Sequence, residues 1–232
     1  MIEDGHGFMG FWSDIEPAYH LTYQEWHNCE HMPERVSIPG FVEGRRYRAT
    51  GDGPEFFMCY VTESPDVLRS EAYLAALNRP TPWTQEALTR FRNPARTLYG
   101  RVASAGDAPL YRPYLALVRF DHPQDSSLLA DLLRRLLRDR DDIAGSLFEV
   151  DAAASGIMTA ERKIYSGGPS RQQFLIALES HDRGELQALL ESAIALLGSD
   201  AKHVESGLCW LEARVRAEEM RKPEGAGFGL AR

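Results

Sequence analysis

The chain has 232 residues, of which 44% are apolar and 26% charged, a length for one or two globular domains and an ordinary soluble balance. The formal net charge of -8 argues against a nucleic-acid partner, because phosphates are held by concentrated cations, and against an anionic membrane surface. No run approaches the roughly 18 apolar residues that mark a membrane span.

The acidic start M-I-E-D-G-H-G lacks the basic opening of a signal peptide. Cys29, Cys59 and Cys209 are odd in number and far apart, which is no disulfide framework and fits a reducing, cytoplasmic setting. Cys59 and Cys209 sit in strand-like runs and read as small core residues.

G-F-M-G-F-W-S-D, residues 7–14, reads as an aromatic-rich strand. T-Y-Q-E from Thr22 has the form of a capping box and predicts a helix from there to about Pro33. I-P-G-F at 38–41 is a turn into a second strand, V-E-G-R-R-Y-R-A, and E-F-F-M-C-Y-V-T at 55–62 is a third. S-P-D at 64–66 opens a helix with Ser64 as its cap, N-R-P-T-P-W-T at 78–84 interrupts it, and T-L-Y-G-R-V at 97–102 is a fourth strand.

The same order then recurs. Strands are predicted at 114–121, 143–150 and 171–180, with a closing strand in H-V-E-S-G-L-C-W-L-E-A-R-V, and an amphipathic helix starts at Ser126. A second helix follows His181. The long loop 151–169 has room for a short strand or a lid.

Both halves read β-α-β-β-α-β, a split unit that builds an antiparallel sheet with both helices on one face. The bare sheet faces bury each other most simply. The expected fold is therefore α+β: two tandem ferredoxin-like modules with facing antiparallel sheets. The expected boundaries are residues 1–105 and 110–218, with a flexible C-terminal tail at 219–232.

W-H-N-C-E-H, residues 26–31, carries the densest chemistry in the chain. His27 and His31 fall on one helical face, and the pattern H-x-x-E-H is the inverted zinc-hydrolase signature. Zinc requires a third ligand, and Glu63, Glu71, Glu86 and Glu224 have no context that selects one, so no metal is expected. An acid–base reading uses His31 as the proton carrier and Glu30 as its neighbour. Arg46 or Tyr47 would face the same cleft to orient an oxygen, and strand alternation lets only one of them point inward. A structural reading has Glu30 capping or pairing with Arg35, and His31 bracing the P-G-F turn. Trp12, Trp26, His20, His27 and Arg46 are the expected substrate-binding residues.

The stretch W-H-N-C-E-H-M-P-E-R-V-S-I-P-G-F-V-E-G-R-R-Y resembles the EthD-like group of the dimeric α+β barrel superfamily. The likeness rests on Trp26, Glu30, His31, Pro33, Arg35, Pro39, Gly40, Phe41, Arg46 and Tyr47, extends through Y-V-T-E-S and T-P-W-T, and covers roughly residues 1–105. It implies ferredoxin-like modules and a homodimer, in a superfamily of small monooxygenases, isomerases, cyclases, dehydratases and haem-dependent enzymes among which fold alone does not choose. The expected function is a cofactor-independent enzyme of oxygenase, isomerase or cyclase type. Such an enzyme would act on a small aromatic or polyketide-like compound by His acid–base chemistry, with His31, Glu30 and Tyr47 catalytic and no cofactor. The alternatives are a noncatalytic small-ligand-binding or structural protein and, behind both, a haem or zinc enzyme. The second half has the fold pattern without the signature and reads as a diverged copy that serves as scaffold.

Overall fold

The computed structural model describes residues 5–106, 112–140 and 142–220. The first half contains β1 (Gly7–Ile15), α1 (His20–Trp26), a π-helical turn (His27–His31), α2 (Met32–Val36), β2 (Phe41–Ala49), β3 (Phe56–Thr62), α3 (Glu71–Asn78), α4 (Pro82–Leu88) and β4 (Phe91–Ala105). The second contains β5 (Tyr114–Asp121), α5 (Ser126–Leu136), β6 (Ala144–Val150), α6 (Ala152–Gly156), α7 (Ala160–Tyr165), β7 (Phe174–Ser180), α8 (Arg183–Leu197), β8 (Lys202–Arg216) and α9 (Ala217–Met220).

The strands close into one barrel in the order β1-β3-β2-β8-β5-β7-β6-β4. Each half contributes the ferredoxin-like order, β4-β1-β3-β2 and β8-β5-β7-β6, and the seams are the antiparallel pairs β2·β8 and β4·β6. The closure is intramolecular, so one chain leaves no sheet edge open between the two halves. The expected tail falls almost wholly on residues 221–232, which lie outside the described residues.

Alternation along the strands sorts side chains into three layers. Met9, Phe11, Phe56, Met58 and Tyr60 face the first half's helices. Phe8, Trp12, Tyr47, Phe57 and Cys59 face the barrel interior, where they meet Leu115, Leu117, Phe148 and Leu175. Val118, Phe120, Ile176 and Leu178 face the leucines of α5 and α8. Each fully buried leucine or phenylalanine there contributes about 1.5–3 kcal/mol of apolar burial.

Several local expectations shift. Thr22 is not a cap: a 3-10 turn at Pro17–Tyr19 runs straight into α1, which begins at His20 without a side-chain cap. Ser64 likewise accepts no cap bond, whereas Ser70 accepts from the Tyr73 amide at the start of α3. The fourth strand is longer than 97–102, because Phe91 and Arg92 already pair with Ile15 and Asp14. The segment 151–169 holds two short helices rather than a strand. Two glycines are required by the backbone. Gly40 has φ +85° in the turn before β2, and a Cβ on Gly44 would sit 2.7 Å from the Tyr60 ring and 2.9 Å from Met32, so its absence lets α2 rest on the sheet. Among the described residues no helix is long and apolar enough to cross a membrane.

Candidate functional site

The W-H-N-C-E-H stretch is not plain α-helix. His27–His31 forms a π turn between α1 and α2, a wider coil that recurs at functional sites. It points neighbouring residues in different directions. Glu30 turns toward α4, where Thr81 Oγ1 (2.5 Å) and Thr84 Oγ1 (3.0 Å) donate to its carboxylate. His31 turns under the helices onto Trp26, ring centroids 4.4 Å apart, and near Tyr60 at 6.5 Å. Trp26 is held in turn by its indole N–H, which donates to Thr84 Oγ1 at 3.1 Å.

His27 is fully buried one ring away from His31, with centroids 5.8 Å apart. Arg46 Nη1 donates to its Nδ1 at 3.3 Å and to Asn28 Oδ1 at 2.9 Å, while Arg46 Nε donates to Glu212 at 2.9 Å. An accepting Nδ1 places the His27 proton on Nε2.

His31 lines a small cavity of about 30 Å³ between the first half's helices and sheet, together with Arg35, Tyr60, Arg96, Glu161 and Tyr165. Arg35 is ion-paired with Glu161, both nearly inaccessible, and its Nη1 lies 3.5 Å from Glu34. Arg96 Nη2 donates to Tyr73 Oη at 2.9 Å. Three polar atoms on the residues of this wall are buried without a hydrogen-bond partner: His31 Nδ1, Tyr60 Oη and Arg35 Nη1.

Burial pushes the pKa of His31 well below the usual histidine value, and the charges of Arg35 and His27 push the same way. His27 is lowered by burial and then by Arg46. Burial raises the carboxyl of Glu161, against the pull of Arg35, and raises the hydroxyl of Tyr60 far above a phenol's range, with Arg35 opposing. At neutral pH the cavity therefore presents a neutral imidazole and a protonated phenol beside two guanidinium groups.

The expected catalytic set is divided by the sheet. His31 and Glu30 lie on the helix side, but Tyr47 is buried inside the barrel, where Arg45 Nη1 donates to its hydroxyl at 3.1 Å. Of the neighbours Arg46 and Tyr47 on β2, it is Arg46 that shares the helix side with His27. Trp12 is also in the barrel interior, its ring under Arg119 at 4.2 Å. His20 stands at the start of α1, where its Nε2 donates to Ile15 O (3.1 Å) and pairs with Glu55 (3.0 Å). Trp26, His27, Arg46, Glu30 and His31 thus form one group, and Trp12, His20 and Tyr47 lie apart from it. Glu30 does not pair with Arg35, whose partners are Glu161 and Glu34.

Sequence reasoning missed Tyr60, Arg96, Glu161 and Tyr165. Glu161 and Tyr165 come from α7 in the second half, which crosses over to cover the first half's cavity; α7 packs on α3 and α4. A capped amphipathic turn, T-A-E-R-K-I-Y, was the available signal for that helix. Among the described residues no group of three or more His, Cys, Asp or Glu side chains is placed to hold a metal ion.

No family model matches the sequence, and no curated protein matches it. Solved structures do match in shape. The chain is similar to an anthrone oxidase-like protein at 11% identity, over 95% of this chain and 96% of that one, with a TM-score of 0.63. It is similar to a heme-binding protein from Thermus thermophilus at 10% identity, over 94% of each chain, with a TM-score of 0.52. A chlorite dismutase variant from Candidatus Nitrospira defluvii also matches at 10% identity, over 94% of each chain, with a TM-score of 0.56. Among the described residues, the histidines of the second half are not placed to ligate a haem. In the second half, His122 bonds the carbonyl of Leu197 and His203 pairs with Asp121, over a layer filled by leucines. The likeness at these identities is one of fold: two ferredoxin-like modules closed into a single eight-stranded antiparallel barrel.

Proposed function

We propose that the helix-side cavity of the first half is the active site of a cofactor-independent, EthD-like enzyme, in which His31 takes a proton from a small hydroxylated aromatic or polyketide-like substrate. The observation that carries this reading is the set of unmet polar atoms, His31 Nδ1, Tyr60 Oη and Arg35 Nη1, on residues that line one cavity. Buried polar atoms are nearly always partnered, and three exceptions on the residues lining one void support a place built for a polar guest.

The chemistry follows from the environment. A neutral His31 is a base at neutral pH. Proton transfer to it creates an imidazolium and a substrate oxyanion together, so the net charge of the site does not change. Arg35 and Arg96 stabilise the oxyanion, and Tyr60 donates to it. For a substrate of the anthrone type, dioxygen is the oxidant: a methylene between two aromatic rings becomes a carbonyl, and one oxygen atom leaves as water. Glu30 serves as a positioning residue that ties the π turn to α4, and Tyr47, across the sheet, takes no part. This reading requires the cavity to widen, with α7 lifting and the Arg35–Glu161 pair parting, to admit substrate.

The test is quinone formation from dithranol, measured by absorbance and oxygen uptake above the uncatalysed rate. The wild type is expected to turn over, His31→Gln to lose about 10²–10⁴-fold in rate with an unchanged melting temperature, and Tyr47→Phe to keep its rate. A wild type that does not accelerate the reaction, or a His31→Gln protein at full rate, would overturn this reading.

A further inference from the structure

We infer that the barrel interior holds a second binding site, on the opposite face of the sheet from His31, for a small neutral phenol whose hydroxyl donates to Nε2 of His6. One mouth of the barrel opens into a cavity of about 300 Å³, at the lower end of the range that small-ligand sites occupy. The cavity beside His31 has about 30 Å³, and the two share no lining residue.

The floor is apolar. Phe8 and Phe148 are stacked there with ring centroids 4.4 Å apart, and Val61, Leu115 and Ala177 complete it. A flat aromatic guest packs on such a floor.

The charges around the mouth already answer one another. Arg45 pairs with Glu43 and, at 3.0 Å, with Glu179, and it donates to the Tyr47 hydroxyl at 3.1 Å. Arg214 Nε donates to Glu43 at 2.9 Å, and Arg216 pairs with Glu218 at 3.0 Å. Arg101 is engaged as well. An ionic guest would be stripped of water and meet counter-charges that are already paired, which costs more than the transfer of a neutral guest. The mouth therefore disfavours ions of either sign.

His6 supplies the polar handle. It lines the cavity, its Nδ1 lies 2.9 Å from the Thr62 carbonyl oxygen, and its own carbonyl accepts from the Arg101 amide at 2.9 Å. A carbonyl oxygen only accepts, so the Thr62 contact puts the ring N–H on Nδ1, and the neutral ring keeps a lone pair on Nε2. Among the described residues none donates to that nitrogen. The contacts to β3 and β4 fix the ring before any ligand arrives, and a preorganised acceptor loses little on binding. An acceptor beside an apolar aromatic floor suits the hydroxyl of a phenol and offers nothing to an ether of the same shape.

The test is calorimetric titration of the full chain near neutral pH with 2-naphthol. The controls are 2-methoxynaphthalene, which cannot donate, 2-naphthoate as the anion and 2-naphthylmethylamine as the cation. His6→Leu removes the acceptor, and Ser146→Phe fills the cavity from β6. The expected result is 2-naphthol binding at least about fivefold tighter than the ether, with both ions weaker than 2-naphthol. His6→Leu is expected to keep the ether and lose the preference for 2-naphthol, Ser146→Phe to remove 2-naphthol binding, and His31→Gln to leave it unchanged. Equal affinity for 2-naphthol and the ether, an ion that binds as tightly as 2-naphthol, or no detectable 2-naphthol binding would overturn the site. So would a folded His6→Leu protein that keeps the preference, or full binding by a folded Ser146→Phe protein. Loss of 2-naphthol binding in His31→Gln would place the probe beside His31 and overturn it too. Should His6→Leu fail to fold, the probe series and Ser146→Phe still decide the matter. Dithranol turnover is read separately, so either site can fail alone.

Discussion

The two helix layers of the barrel share one topology and differ in what fills them. Beneath α5 and α8 the contacts are aliphatic: Leu129, Leu133, Leu186 and Ile143 are inaccessible, and Leu189, Leu190 and Leu197 nearly so. Beneath α1, the π turn and α2 lie Trp26, His27, Arg35, Tyr60 and Tyr73, all equally inaccessible, with Arg96 and Glu161 beside them. An aliphatic layer is the cheaper way to stabilise a sheet, since buried charges repay their desolvation only with good partners. The first layer keeps charges, phenols and the unmet atoms His27 Nε2, His31 Nδ1, Arg35 Nη1 and Tyr60 Oη where leucine would serve stability better. Polar groups concentrated in one of two layers of like topology are what the proposed site, set on a repeated scaffold, would require.

The largest expected effect tests the cost of that polarity. Arg35→Met strands Glu161 in the interior and should destabilise the protein by about 3–5 kcal/mol, read by denaturant melts. Arg35→Met with Glu161→Leu should recover most or all of the loss, because it turns the polar layer into one like its counterpart. A double variant no better than the single would mean that the two residues do not act as a pair.

Next comes the aliphatic layer. Leu133 is fully buried, and Leu133→Ala should cost about 2–5 kcal/mol while leaving dithranol turnover per folded molecule unchanged. A rate loss without a melting shift would instead place the second half in the chemistry.

The contrast also bounds what the sequence could show. The α5 layer was legible because L-L-A-D-L-L-R-R-L-L-R carries a helical period that packing uses as written. The barrel was legible because the element order repeats. The candidate site was legible only in part. His31 and Trp26 stand in a recognisable run, but the π turn that separates Glu30 from His31 leaves no mark in residue spacing. Tyr60 sits in F-F-M-C-Y-V, apolar on both faces, so alternation alone does not say which side each residue takes. Glu161 reaches the cavity by a crossover between halves, which is a fact of tertiary topology.

pH separates the layers again. His27 and His31 have folded-state values below their unfolded ones, so they bind protons more readily when unfolded. Their contribution is complete above the unfolded value near 6.5 and is lost as pH falls through the folded values. Beyond burial, Arg46 opposes protonation of His27, and Arg35 and His27 oppose protonation of His31. Glu161, raised by burial, acts in the opposite sense and offsets part of the loss at lower pH. Melting temperature should therefore fall between pH 7.5 and 5.5, and a His27→Gln, His31→Gln double variant should show a flatter profile. A wild-type melting temperature constant over that range would sink the assignment of two buried neutral histidines.

The smallest effect concerns how the helices begin. In the second half, Asp125 accepts from the amides of Ser127 and Leu128 and from the Ser127 hydroxyl, capping α5. In the first half, Thr22 has the letters of a capping box, yet α1 starts two residues earlier, fed by the turn at Pro17–Tyr19. A cap works by meeting amides that the helix leaves open, and inside a helix those amides are already taken. Asp125→Ala should therefore cost about 1 kcal/mol, whereas Thr22→Ala should be neutral or slightly stabilising, because alanine has the higher helix propensity. Equal losses in the two variants would mean that Thr22 caps α1 after all, and that the entry to the π turn is built differently from the geometry described above.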